Sequence, residues 1–239
     1  MFMTDSETGF YYDRYENMSN IFTTVVVIAV IIMLLLNLFN KQKVKIATPK
    51  PNTFFGISQI MLGVCLAIEP LFVNELPATV PAVLKTAKVI LVVLAGVCFV
   101  VLGFLNFIDK KPNYILLIIP TLSYIFRLLV TFLCYTGMSG IASNIYEIVN
   151  LCFILGFLHF SSKILCDVKG KNTEAITSSF AFLTLISSSV CSIPTMITII
   201  FGNVGVHLSV DSIITNLFMT IYVFAFLISK KQEVEEIVE

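Results

Sequence analysis

The chain has 239 residues, of which 57% are hydrophobic and 13% charged, and its mean hydropathy is +0.95. Soluble domains carry about a quarter charged residues, so an ordinary soluble domain is excluded and an all-α, multi-pass membrane protein is expected. The formal net charge is zero, so the chain is not strongly basic and its charge gives no reason to expect nucleic acid as a partner.

Residues 1–19, MFMTDSETGFYYDRYENMS, are polar and acidic. A cleavable signal peptide begins with a basic segment, so this stretch reads as an extracytoplasmic N-terminal segment. Asn17-Met18-Ser19 fits a glycosylation acceptor, but it lies hard against the first apolar run.

Apolar runs long enough to cross a bilayer as helices then recur at 20–38, 54–73, 84–107, 114–135, 140–162, 176–200 and 208–229. They predict a bundle of seven transmembrane helices over 20–229, followed by a charged tail over 230–239. The connections are short, so no soluble domain is inserted. Lysines set the orientation, because cytoplasmic loops carry the positive charge. Lys41, Lys43, Lys45 and Lys50 follow the first run, Lys110 and Lys111 the third, Lys163, Lys169 and Lys171 the fifth, and Lys230 and Lys231 the seventh. With alternating helices all of these fall on one side, and only Lys85 and Lys88 oppose the trend. The N-terminus is therefore expected outside and the C-terminus inside, in a cell membrane of the bacterial plasma-membrane type. No convincing internal repeat relates the first three runs to the last three. The first run is almost wholly apolar, which suits a peripheral helix.

The charges within the runs are few. Glu69 and Lys88 stand about equally far from the loop joining the second and third runs, so both are expected in the outer part of the membrane. Lys88, with Lys85 a turn above, could equally snorkel to the interface. Arg127 is different, since it lies mid-run in SYIFRLLVTF. An arginine at a helix centre costs about 2.5–3.5 kcal/mol on insertion scales and usually finds a counter-charge. The fourth and fifth runs are joined by a tight turn near Gly137, with Arg127 ten residues before it and Glu147 ten residues after it. A rise of about 1.5 Å per residue sets both roughly 15 Å from the turn, so an Arg127–Glu147 pair is expected, direct or through water or a ligand.

Polar stripes flank both charges at helical spacing. Ser123, Tyr124 and Thr131 accompany Arg127, and Ser143, Asn144 and Asn150 accompany Glu147. In the sixth run Thr184, Ser188, Cys191, Ser192 and Thr195 form another stripe, and Asp211 opens the seventh, where the helix dipole favours an acid in any case. Pro120 and Pro194 each free a backbone carbonyl within a run. Glu69, Lys88, Ser188, Ser192 and Asp211 together make an outer polar cluster.

Gly137-Met138-Ser139-Gly140 resembles the G-x-S-G string around the nucleophile of rhomboid intramembrane proteases. The resemblance covers four residues and would make Ser139 the nucleophile and His207 its base. That family sets its histidine inside a later helix, whereas His207 precedes the seventh run, and the upstream histidine and asparagine are missing. No enzyme is expected. His159, near the inner end of the fifth run, reads as interfacial. Six cysteines, Cys65, Cys98, Cys134, Cys152, Cys166 and Cys191, show no metal-ligand or redox spacing and read as packing residues. No metal or cofactor is expected.

Two functions remain. In one the protein is a small transporter or substrate-binding membrane subunit, with Arg127, Glu147, Tyr124, Asn144 and Asn150 around a small anionic solute. In the other it is a non-transporting sensor, assembly or immunity-type protein in which the ion pair only fixes helix packing. The bilayer is a partner in both, and the charged tail could meet another membrane or cytoplasmic protein.

Overall fold

A computed structural model describes residues 24, 28, 52–72, 81–135, 142–168, 173–200 and 210–238. The expected first span, 20–38, lies almost wholly outside the described residues, as do the turn around Gly137 with its Ser139, and His207. Among the described residues the chain forms six helices and no strand: α1 (Thr53–Phe72), α2 (Ala82–Phe107), α3 (Tyr114–Tyr135), α4 (Ala142–Leu165), α5 (Thr173–Ile200) and α6 (Val210–Val238). Their bounds follow the apolar runs closely except at the end of the chain. There α6 continues through Val238, because the tail consists of good helix formers without proline or glycine. Helices α1 to α5 each carry a stretch of 19 to 26 residues long and apolar enough to cross a membrane, and α6 carries a shorter apolar stretch, Ile213–Ser229.

Each helix packs against its neighbours in sequence, and α6 returns to pack against α1. The six therefore close into a ring whose interior is filled by side chains. Around the outside, Val97, Phe104, Ile118, Phe132, Ile186 and Phe224 are each more than half exposed. Such a contiguous apolar surface is unsuited to water and suggests a membrane protein.

The tightest contact is between α1 and α2. A Cβ at Gly63 would lie 2.6 Å from the Gly96 carbonyl oxygen, and one at Gly96 would lie 2.6 Å from that of Gly63. Seven residues along, Gly103 meets the Gly56 carbonyl in the same way, at 2.7 Å. Small residues let helix backbones touch where no hydrophobic effect drives association, and this seam fixes α1 and hence Glu69.

The two ends of the bundle differ. At one end α2 and α4 both finish on an aspartate with positive φ, Asp109 at 53° and Asp167 at 58°. In each case the next amide turns back onto the helix: Lys110 N–H donates to Leu105 O at 3.1 Å, and Val168 N–H to Lys163 O at 2.9 Å. Left-handed residues end helices in this way. Lys111 Nζ reaches Asp167 Oδ2 at 3.6 Å, which places the two loops at the same end, as the alternation of the lysines requires.

Just inside that end lies an aromatic cluster. Phe55 of α1, Phe99 of α2 and Phe157 of α4 surround Tyr222 of α6, with ring centroids 5.6, 5.4 and 5.8 Å away. Phe226 joins Phe157 edge-on at 5.3 Å. All five rings are fully buried and plug the middle of the ring.

Candidate functional site: a buried polar layer

Toward the opposite end the interior turns polar. Arg127 projects from α3 and donates through Nη1 to Glu69 Oε2 of α1 at 3.0 Å. Both are almost wholly enclosed, with side chains 6% and 2% exposed. Thr215 Oγ1 of α6 donates to the same oxygen at 3.0 Å, and Cys65 Sγ stands 3.8 Å from Thr215 Oγ1. One carboxylate oxygen thus ties three helices together. A charge-assisted bond of this kind is stronger than a neutral one.

The counter-charge expected from the α3–α4 hairpin was Glu147, and the carboxylate found on Arg127 is Glu69. Equal distance from a turn fixes depth along the bundle and says nothing of direction around it. Arg127 points into the ring, toward α1, with which α3 shares no backbone contact. Long arginine and glutamate side chains bridge that interior gap. Glu147 is buried on α4. Glu69 engages Arg127, and Lys88, expected at a similar depth, is partly buried on α2.

A second cluster lies beside the first. Ser187 and Ser188 of α5 donate to Asn150 Oδ1 of α4 at 2.7 and 2.8 Å. Asn150 Nδ2 donates to Asn216 Oδ1 of α6 at 3.2 Å, and Ser192 Oγ donates to Ser188 O at 2.5 Å. Asn150, Ser188 and Ser192 have no exposure at all. Neighbouring Thr215 and Asn216 join the two clusters into a layer that reaches α1, α3, α4, α5 and α6.

The structure therefore brings Arg127, Glu69, Asn150, Ser188 and Ser192 into one layer. Tyr124 lies one turn below Arg127, its ring centroid 6.0 Å from the guanidinium carbon. Its buried hydroxyl has no hydrogen-bond partner among the described residues. Asn144 and Asp211 lie on α4 and α6, but their side chains fall outside the described residues. Thr215, Asn216 and Ser187 were not anticipated. Their signal was present as a Thr-Asn pair inside an otherwise apolar helix and as one more hydroxyl in Ser187-Ser188-Ser189. Among the described residues no group of three or more His, Cys, Asp or Glu could hold a metal ion.

Beside this layer a groove runs between α1 and α6. Its volume is about 380 Å³, and it is lined by Ile60, Met61, Val64, Ile68, Ile214 and Phe218, with Cys65, Glu69 and Thr215 on its wall.

A family of unknown function (DUF8582) matches residues 84–131. That segment covers most of α2 and of α3, including Lys88, Tyr124 and Arg127, and leaves out Glu69 and Glu147. No curated protein and no solved structure matches the chain.

Proposed function

We propose that this is a non-transporting membrane protein, of the sensor, assembly or immunity type, in which the polar layer holds the bundle in one arrangement. The observation that carries this reading is the closure of Arg127 by Glu69, with Thr215 on the same oxygen and both charged side chains almost wholly enclosed. The aromatic plug supports it, since Tyr222 and its neighbours fill the centre of the ring. A buried ion pair adds little net stability but penalises every arrangement that leaves one charge alone. The lysine distribution supports a cell-membrane topology with the N-terminus outside and the C-terminus inside, which reporter fusions at each terminus would check.

The test is a charge exchange read by thermal unfolding of purified protein. Glu69→Arg and Arg127→Glu should each destabilise the protein strongly, and the double exchange should recover most of the loss. No recovery would sink the reading.

One observation favours a transporter or substrate-binding subunit instead. Tyr124, enclosed beside Arg127, offers a hydroxyl with no partner among the described residues, and a small anionic solute could use both. Under that reading Tyr124→Phe weakens solute-induced thermal stabilisation, while under the first it changes stability only slightly.

A further inference from the structure

The geometry points to the α1–α6 groove as a binding site for a neutral, single-chain lipid alcohol whose hydroxyl donates to Glu69 Oε1. The inference rests on the membrane setting of the reading above, since only there does the groove open onto lipid.

The apolar wall comes first. Met61, Val64, Ile68 and Ile214 are each more than a third exposed and line the groove together with Ile60 and Phe218. From Ile60 to Glu69 the wall follows ten residues of α1, about 14 Å of helix. That is close to half of the roughly 30 Å hydrocarbon core, the depth of one leaflet. The volume of about 380 Å³ lies near the small end for ligand sites and suits one chain better than two.

The polar end selects the head group. Glu69 lines the groove although only 3% of it is exposed. Both of its hydrogen bonds, from Arg127 and from Thr215, fall on Oε2. Oε1 accepts from no described residue and is not among the fully enclosed polar atoms, so it is reachable from the groove that Glu69 lines. A donor arriving along the groove would satisfy it. Charge decides which donor, because Arg127 already balances Glu69. A fatty acid would set a second carboxylate against Glu69, and a long-chain amine would set a second cation near Arg127. A hydroxyl donates one hydrogen bond and adds no charge.

The experiment uses the full chain in phosphatidylcholine nanodiscs with a diazirine-bearing long-chain alcohol. Crosslinks mapped by mass spectrometry should fall on residues 60–69 and 214–218. Hexadecanol should compete at least tenfold better than hexadecanoic acid or hexadecylamine. Val64→Phe, which adds bulk to the groove at a lipid-facing position, should cut labelling about tenfold. In the double variant Glu69→Met/Arg127→Met the chain should still label the groove while the advantage of the alcohol disappears. Equal competition by the three amphiphiles would overturn head-group recognition. Labelling spread around the bundle and indifferent to Val64→Phe would overturn the site, leaving ordinary boundary lipid. Failure of the charge exchange would sink the structural ion pair yet leave these labelling results unaltered, so the two ideas fall separately.

Discussion

The two halves of the bundle solve the same packing problem with different chemistry. At the Asp109–Asp167 end, five aromatic rings from four helices interlock, three of them directly on Tyr222. At the other end a guanidinium, a carboxylate, two asparagines and several hydroxyls fill the same cross-section. Aromatic contacts tolerate rotation and sliding, because dispersion depends weakly on direction. A buried hydrogen bond tolerates neither, since a displaced partner leaves an unpaired polar group in a medium that cannot replace it. The aromatic half supplies contact, and the polar half determines which contacts are allowed.

The sharpest way to break this contrast is at the charges. Arg127→Met alone should cost about 3–5 kcal/mol by leaving Glu69 uncompensated, whereas Arg127→Met with Glu69→Met should be near neutral. Chemical unfolding in mixed micelles would read both. Equal losses in the single and double variants would remove the distinction between the halves.

Phe157→Ala tests the other half. It removes a ring that touches Tyr222 and Phe226 and should cost about 3 kcal/mol, with no rescue by a second truncation at Tyr222. A comparable effect is expected at the glycine seam, where Gly96→Leu has no room beside Gly63 and should separate α1 from α2.

Asn150→Leu should cost less, about 1–2 kcal/mol, because interhelical hydrogen bonds in membranes are individually modest. Its more telling effect is on uniqueness. Crosslinking between cysteines introduced on α4 and α6 should become heterogeneous in register, as it would not in Phe157→Ala. Least of all, Asp109→Gly relieves a left-handed aspartate outside both layers and should stabilise by about 0.5 kcal/mol. A loss there would give the Asp109 side chain a role beyond ending α2.

Much of the fold was legible because its signals are local. Helix α3 occupies the expected 114–135, and α2 and α5 start within three residues of their apolar runs. A mid-helix arginine announced a buried polar centre for a reason that needs no structure: a charge in hydrocarbon must be answered. Asn150, Ser188 and Ser192 were visible as members of polar stripes, since helical spacing alone puts them on a face. The glycine seam was legible in principle, as Gly56 and Gly63 repeat the seven-residue spacing of Gly96 and Gly103.

The sequence by itself determined that this chain is helical, apolar enough to cross a membrane several times, and obliged to neutralise Arg127 within it. Only the tertiary structure decided that Glu69 does so, that Thr215 shares the same oxygen, and that the groove between α1 and α6 ends on that carboxylate. Periodicity gives a residue its face and distance from a turn gives its depth. Which helix stands across the interior depends on the closure of the ring from α6 back to α1, a contact between segments some 150 residues apart in the chain.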